Sequence, residues 1–233
     1  MEKEKRVTRM AVLDRRRILP WIVFLLGLLL ALSGRMAWAE TTTTQEVEIR
    51  EYEGEKLGSA RDFRENSIQG TQRIEPEAYR LVVDGLVANP AAFTCAELAA
   101  QTHTAKVATL HCVEGWSVKI LWEGISLSAL FDEVQPSPEA TTVIFHAQDG
   151  YTTSLPLDFV VSRNLILADR MDGLTLSPER GFPFQLVAED KWGYKWIKWV
   201  TRVELSSDSS YHGYWESRGY SNVGDLSKSR FGP

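Results

Sequence analysis

The chain has only two cysteines among its 233 residues, Cys95 and Cys112. They form no C-x-x-C motif and no haem-attachment C-x-x-C-H motif, and no H-x-x-x-H spacing accompanies them. The sequence therefore lacks the common zinc patterns and a site for covalently attached haem. Repeats at the periods of solenoid proteins are also absent, which excludes that architecture.

Basic residues are scarce outside the first 39 residues. That segment contains eight Lys/Arg and three Asp/Glu, so it carries +5; because the whole chain carries −5, the remaining 194 residues carry −10. An acidic body of this kind has no bulk electrostatic attraction for nucleic acid or an anionic membrane surface. We therefore expect no nucleic-acid partner.

One apolar run, residues 18–32, is shorter than the roughly 20 residues that a membrane span needs. Arg15-Arg16 precedes it, and Ala37-Trp38-Ala39 follows it with the small residues of a signal-peptidase site. Residues 1–39 are predicted to be an export signal, with an N-terminal membrane anchor as the alternative. The arginine pair resembles the twin-arginine signal. Either interpretation places the protein in the periplasm or on the outer face of the cytoplasmic membrane.

The rest of the chain has the pattern of one mainly β domain of the α+β class. Residues 40–60 are predicted to be a polar spacer and residues 61–225 the domain, with an aromatic-rich C-terminal strap that continues to 233. Alternating apolar residues and turn signals predict many short strands, and Thr94 and Ser126 are placed to cap two short helices. The predicted strands lie near 79–83, 106–113, 141–147, 151–155, 165–171, 184–188 and 196–205, and the predicted helices at 95–100 and 127–134.

Cys112 lies near the end of the predicted strand 106–113, directly after His111. Three roles for its sulfur are open. It could form a disulfide with Cys95, or join Cys95, His103 and His111 in a zinc site, or serve as a single thiolate ligand to a metal cofactor that brings its other ligands. A Cys-His nucleophile is not expected, because adjacent residues of a strand point to opposite faces.

A second unusual stretch, "GFPFQLVAEDKWGYKWIKWV" at residues 181–200, combines lysines with many aromatic rings inside an acidic protein. It could form an anion pocket in which Lys195, Lys198 and the backbone N–H groups at Gly193 face a phosphate, with flat rings beside a heterocycle. The alternative is a strand with solvated lysines and buried tryptophans.

Together, "LHCVEGWSVKILWEG" (110–124) and "LSPERGFPFQLVAEDKWGYKWIKWVTRVEL" (176–205) closely resemble the molybdopterin-binding domain of the sulfite oxidase superfamily. The resemblance covers residues 63–225 and is nearest to small exported members akin to the methionine sulfoxide reductase catalytic subunit. It implies a single domain that holds one molybdenum on one molybdopterin and no haem. The pterin supplies two sulfur ligands, so a lone protein thiolate suffices.

The resemblance also implies roles for individual residues. The metal-ligating, catalytic cysteine is Cys112, and Trp116 and Tyr194 are expected to wall the substrate pocket with His111 and Trp192. The residues implied to contact the pterin are Asn66, Arg180, Gln185, Lys195, Trp196, Ile197 and Lys198.

The implied activity is two-electron oxo transfer, most simply the reduction of a small-molecule or peptidyl sulfoxide. Electrons would come from a membrane cytochrome or a quinol-linked partner, and the catalytic domain is expected to be monomeric. Sulfite oxidases carry an Asn-Arg pair directly after the cysteine, where this chain has Val113 and Glu114; a Glu114 side chain that faced the pocket would repel sulfite. The alternatives are a sulfite-oxidising enzyme, a non-catalytic cell-surface binding module and a disulfide-stapled structural domain.

Overall fold

The computed structural model describes residues 46–232. The predicted export signal at 1–39 and the first part of the predicted spacer, residues 40–45, lie outside the described residues. Within residues 46–232, no helix is both long enough and apolar enough to cross a membrane.

Short strands dominate residues 46–232, in agreement with the predicted mainly β, α+β class. The strands are β1 (Glu51–Tyr52), β2 (Glu55–Lys56), β3 (Arg80–Gly85), β4 (Ala91–Thr94), β5 (His103–His111), β6 (Ser117–Ser126), β7 (Thr142–Ala147), β8 (Thr152–Pro156), β9 (Ile166–Met171), β10 (Leu174–Thr175), β11 (Gln185–Val187) and β12 (Val200–Ser206). The helices are α1 (Cys95–Ala99), α2 (Leu127–Val134) and α3 (Leu157–Ser162), with 3₁₀ turns at Pro178–Arg180, Gly193–Lys195 and Glu216–Arg218.

Two five-stranded sheets form the body of this part of the chain. The first has the order β10-β9-β6-β5, with β11 also paired to β9, and the second has the order β4-β3-β12-β7-β8. Strands β5 and β6 form a long antiparallel hairpin that closes at the pair His111 and Ser117. In the second sheet, β12 runs parallel to β3 and antiparallel to β7. The hairpin therefore presents the loop 112–116 at one end of the first sheet.

Both helix caps that the sequence predicts are present. The Thr94 hydroxyl accepts a hydrogen bond from Glu97 N at 3.1 Å, and the Glu97 carboxylate accepts one from Thr94 N at 2.8 Å, which completes a capping box. The Ser126 hydroxyl accepts from Ala129 N at the start of α2. The buried residues of α2 follow a helical period and are Leu127, Leu130, Phe131 and Val134.

Trp122 of β6 is fully buried in the main hydrophobic cluster. Its ring centroid lies 5.7 Å from that of Trp196 and 6.1 Å from that of Phe63, and its Nε1 donates to Ala108 O at 3.2 Å. Burial of aromatic side chains of this size is a large part of the hydrophobic stabilisation of a domain. The core thus packs directly behind the segments 63–68 and 193–199.

Two strand predictions are wrong in part, and one strand is missed. β5 begins at 103 and ends at His111, so Cys112 lies in the loop that follows the strand. The predicted strand 196–205 begins only at Val200, because Trp199 has a φ of +54° that interrupts the extended backbone. β6 was not predicted, since a bulge at Glu123/Gly124 and consecutive buried residues break its alternation.

At that bulge, Gly124 lies so close to β9 that an added Cβ would be 2.1 Å from Leu167 O and 2.4 Å from Ala168 Cα. Glycine is therefore required at this close approach of two backbones.

We predict that Gly124→Ala destabilises the protein by about 2–3 kcal/mol, because backbone atoms of β9 must move. The melting temperature should fall by about 5–10 °C in a thermal unfolding experiment. Gly54→Ala is the comparison variant: nothing lies within 4 Å of its added Cβ, so its only cost is the positive φ of +81°, which should be smaller than the cost of the clash at Gly124. Equal losses in the two variants would contradict the proposed clash.

Asp172 is a buried carboxylate in the turn between β9 and β10. Its Oδ1 accepts from Leu121 N at 2.9 Å, whereas its Oδ2 is buried and has no hydrogen-bond partner among the described residues. Burial, opposed by the Leu121 hydrogen bond, raises the pKa of Asp172 from 3.8 to about 6. The folded protein therefore holds this proton more tightly than the unfolded chain does.

We predict that this group's contribution to the free energy of unfolding is fully present below pH 3.8 and is lost as the pH rises through about 6. Asp172→Asn should remove that part of the pH dependence while keeping an acceptor for Leu121 N. Urea unfolding at about pH 4.5 and about pH 7.5 measures this pH dependence of the free energy of unfolding. The control is Asp132→Asn, at an exposed position of α2. An unchanged pH dependence in Asp172→Asn would refute the assignment.

Candidate functional site

One cavity of about 280 Å³ brings together the two stretches that the sequence singles out. It is lined by residues from the segment 63–68, the hairpin loop 112–116, the turn 149–151, the segments 179–185 and 193–199, and Trp215. Because these segments are far apart in sequence, only the packing of the two sheets and the C-terminal segment creates the cavity.

The hairpin loop places Cys112 in this cavity. Cys112 N donates to Trp116 O at 2.9 Å, and Gly115 N donates back to Cys112 O at 3.1 Å, with Gly115 at φ +93°. The adjoining 3₁₀ turn packs closely behind it, since an added Cβ on Gly193 would lie 3.1 Å from His111 O and 3.4 Å from Cys112 Cα. The loop is therefore held in place both from within and by the 193–195 turn.

Both cysteines are free thiols, so the disulfide interpretation is wrong. The zinc interpretation fails as well, because nowhere in residues 46–232 do three or more His, Cys, Asp and Glu side chains form a group that could hold a metal ion. Of the three roles considered for Cys112, the single thiolate ligand is the one that this geometry leaves available.

The surroundings of the Cys112 sulfur both raise and lower the pKa of its thiol. Burial raises the pKa of the Cys112 thiol, and so does the Glu114 carboxylate. The backbone N–H groups of Glu114 and Val113 and the amide of Asn66, whose Nδ2 lies 3.8 Å from Sγ, lower this pKa by donating hydrogen bonds. A bound metal ion would deprotonate such a thiol.

Three cations line the same cavity without a carboxylate within 4 Å among the described residues: Arg64, which is exposed, and Arg180 and Lys198, which are partly buried. Arg180 donates from Nε to Ala60 O and from Nη2 to Phe63 O, both at 3.0 Å. Lys198 Nζ donates to Glu179 O at 3.1 Å, and burial lowers the pKa of Lys198 to about 8. Buried cations without a contacting anion are favourable partners for a bound phosphate.

Gly181 allows the cationic side chains and Gln185 to approach one another. It has a φ of +97°, and an added Cβ would lie 3.0 Å from Lys198 Cβ and 3.2 Å from Gln185 Cβ. The Gln185 side chain is buried at the cavity wall, where its amide is available to hydrogen-bond a heterocycle.

The prediction that Lys195 contacts the phosphate is wrong. Its side chain has 0% exposure and does not line the cavity; Nζ lies 2.5 Å from Glu216 Oε1 and donates to Ser154 O at 3.0 Å. The Thr153 hydroxyl also donates to Glu216 Oε1, at 2.6 Å. Lys195 is therefore part of a buried ion pair that joins the 193–195 turn to the C-terminal segment.

His111 and Trp192 also do not line the cavity, so their predicted place in the substrate pocket is wrong. The two residues form an isolated backbone bridge to each other, and Trp192 Nε1 donates to Lys228 O at 3.4 Å. The remaining predicted site residues do line the cavity, and they are Cys112, Asn66, Arg180, Gln185, Trp196, Ile197, Lys198, Trp116 and Tyr194.

Sequence reasoning did not assign several further lining residues. Phe63 and Trp116 meet edge to face at 5.7 Å, and Trp215 lies at the rim with 37% exposure. Those without a prior assignment are Phe63, Arg64, Ser67, Ile68, Leu110, Asp149, Tyr151, Glu179, Trp199 and Trp215, whereas Glu114 was considered only for its effect on sulfite. Glu114 carried a signal, its position two residues after Cys112, whereas Asp149 and Trp215 reach the site only through tertiary contacts.

Comparisons with known proteins identify the family of this chain. A family model described as "Oxidoreductase molybdopterin binding domain" matches residues 68–215. The chain is 32% identical over 148 residues to the uncharacterized oxidoreductase YuiH of Bacillus subtilis, covering 63% of this chain and 74% of that protein.

Two other comparisons bear on function. A putative protein-methionine-sulfoxide reductase subunit, YedZ1 of Azospira oryzae, is 33% identical over 66% of this chain and 58% of its own length. Thus, the chain spans only part of this relative. The sulfane dehydrogenase SoxCD of Paracoccus pantotrophus has a similar structure, with a TM-score of 0.60 and 26% identity over 62% of this chain and 42% of that chain.

We predict that Lys195→Met destabilises the protein by about 3–5 kcal/mol, because it leaves the buried Glu216 carboxylate without its cation. Urea unfolding measures the loss, and the double variant Lys195→Met/Glu216→Leu should recover part of it. Lys198→Met is the matched control, since that lysine contacts no carboxylate among the described residues and should cost much less. Similar losses for both lysines would contradict the structural role of Lys195.

Proposed function

The chain belongs to the family of oxidoreductase molybdopterin-binding domains, and we propose that it uses one Mo-molybdopterin, bound through Cys112, to reduce a sulfoxide-type substrate by oxo transfer. The observation that carries this proposal is a free, buried thiol that shares one cavity with Arg180 and Lys198, two partly buried cations that contact no carboxylate among the described residues.

The residues in the cavity fit this cofactor. A molybdenum that already has two pterin sulfurs needs one more soft ligand, which the Cys112 thiolate provides. Lys198 and Arg180 would hold the pterin phosphate, and the amides of Asn66 and Gln185 would hydrogen-bond polar groups of the cofactor. When bound, the cofactor supplies the transfer of one oxygen atom and two electrons.

The protein's own contribution beside the cofactor is a shielded pocket. Phe63, Trp116, Tyr194 and Trp215 provide aromatic walls that exclude water from the substrate. The wall is firm, because Tyr151 Oη donates to Tyr194 O at 2.5 Å and Tyr194 Oη donates to Ser221 O at 2.7 Å. Exclusion of water strengthens the electrostatic interactions inside such a pocket.

The overall reaction consumes two electrons and two protons, breaks the sulfur–oxygen bond and releases a sulfide and water. Because the sequence has no haem-attachment motif, we propose that a membrane cytochrome or a quinol-linked protein supplies the electrons. Relatives named protein-methionine-sulfoxide reductase support the substrate class, and they extend it to sulfoxides within proteins. The Glu114 carboxylate at the cavity argues against sulfite, which is an anion.

Export is part of the proposal and rests on the sequence of residues 1–39 alone. A twin-arginine-type signal suits an enzyme that binds its cofactor before it leaves the cytoplasm. We therefore propose that a monomeric catalytic domain acts in the periplasm or at the outer face of the cytoplasmic membrane, held there if the N-terminal segment remains attached as an anchor.

We predict one molybdenum per chain in protein purified from a molybdenum-replete host, with reduction of dimethyl sulfoxide by a reduced dye. Cys112→Ser should abolish this activity while much of the pterin stays bound, because the proposed phosphate contacts are made by other residues. Elemental analysis, pterin fluorescence and dye oxidation measure these quantities.

Cys95→Ser is the matched control, because Cys95 is the other free cysteine and does not line the cavity. It should retain both metal and activity. Absence of molybdenum and pterin from the native protein, or full activity in Cys112→Ser, would refute the proposed function. Oxidation of sulfite without reduction of any sulfoxide would refute the substrate class and leave the cofactor assignment in place.

A further inference from the structure

The loop that presents Cys112 also presents a carboxylate to the cavity. Cys112, Glu114 and Trp116 are spaced two residues apart and all line it. The two hydrogen bonds between Cys112 and residues 115–116 fix the loop, so the position of Glu114 follows from that of the thiol. Any substrate that reaches the Cys112 sulfur therefore passes close to this carboxylate.

The negative charge of Glu114 is not neutralised locally. Among the described residues no Lys, Arg or His lies within 4 Å of its carboxylate, which accepts one side-chain hydrogen bond, from Trp116 Nε1 at 3.4 Å. Glu114 is two residues from Cys112 in the same loop, and both line the cavity. The Cys112 side of the cavity therefore carries an unpaired negative charge.

The cations of the cavity lie in a different charge environment. Burial lowers the pKa of Arg180, and the charges that act on this pKa are those of Glu179 and Glu65. Lys198 interacts with the same two glutamates, with Arg180 and with Asp149. A bound pterin phosphate would occupy Arg180 and Lys198, which leaves them unavailable to balance Glu114.

The aromatic residues near Glu114 add to this polarity. Trp116 lies beside the carboxylate and Trp215 lies at the rim, and both line the cavity. The faces of tryptophan rings attract cations. A positive group next to the reacting sulfur would therefore meet both a carboxylate and π-electron density.

We propose that Glu114 determines substrate specificity by charge, so that the enzyme prefers sulfoxides carrying a positive group near the sulfur and rejects anionic ones. This inference rests on the proposed function and deepens it. Arg64, which also lines the cavity, is exposed on the 61–68 segment and forms no ion pair with Glu114 within 4 Å.

Binding without turnover provides the first test. The molybdenum-loaded protein, with no electron donor present, is titrated by calorimetry with three sulfones of different charge: 2-(methylsulfonyl)ethylamine, dimethyl sulfone and 3-(methylsulfonyl)propionate. We expect the amine to bind about fivefold more tightly than the carboxylate, as suits an interaction with a partly exposed charge. In Glu114→Gln this preference should fall below about twofold.

Two variants separate the position of the charge from its presence. Glu133→Gln removes one negative charge from the exposed part of α2 and should keep the preference. Glu114→Asp keeps the carboxylate in the loop and should keep most of it. Equal binding of the three sulfones by the unaltered protein, or an unchanged preference in Glu114→Gln, would overturn the inference.

Turnover provides the second test and separates this inference from the proposed function. The ratio of kcat/KM for 2-(methylsulfinyl)ethylamine to that for 3-(methylsulfinyl)propionate should fall in Glu114→Gln, and using a ratio cancels differences in cofactor content. If these two sulfoxides and dimethyl sulfoxide are all reduced with equal kcat/KM, the proposed function stands and the inference fails. If none is reduced, both fail.

Discussion

The buried ion pair between Lys195 and Glu216 holds the candidate site in shape. Neither side chain has any exposure, and burial lowers the pKa of Lys195 while the Glu216 carboxylate favours its charged form. Two charges can remain in such an interior only if each compensates the other. The pair joins the 193–195 turn to Glu216. Because residues 196–198 and Trp215 adjoin its two ends and line the cavity, two walls of the cavity depend on it.

A second constraint is steric. Gly193 brings the 193–195 turn against the backbone of His111 and Cys112, where a side chain would not fit without movement. The ion pair thus fixes the turn from the side of the C-terminal segment, and the glycine fixes it against the hairpin loop. Cys112, the proposed cofactor ligand, and Lys198, which follows the turn, are therefore positioned by the same short segment.

Charge is distributed unevenly within the cavity, and this distribution links the fold to chemistry. Arg180 and Lys198 suit the anionic end of a pterin, whereas Glu114 lies with the thiol at which substrate must arrive. The fold resembles that of a sulfane dehydrogenase, and one fold can serve different substrates through changes in its site residues. Family membership accounts for the cofactor class, and we propose that the loop residue Glu114 sets the substrate preference.

Local signals in the sequence predicted local structure well. The Thr94 capping box, the α2 period and the hairpin of β7 and β8 depend on residues close together in the chain, which is why they could be read directly. Predictions failed where distant residues decide. Residues 196–199, expected to begin a strand, form a loop instead, because Trp199 has a left-handed backbone conformation among close tertiary contacts.

The sequence by itself determined the family, the α+β class and the choice of Cys112 as the candidate ligand, since these depend on residue types in order along the chain. Only the tertiary structure decided which lysine serves the cavity. Lys195 and Lys198 are equivalent in composition and nearly adjacent, yet one meets Glu216 in the interior and the other lines the cavity. The direction of each side chain depends on the backbone turn and on a carboxylate 21 residues away, and neither is encoded in local spacing.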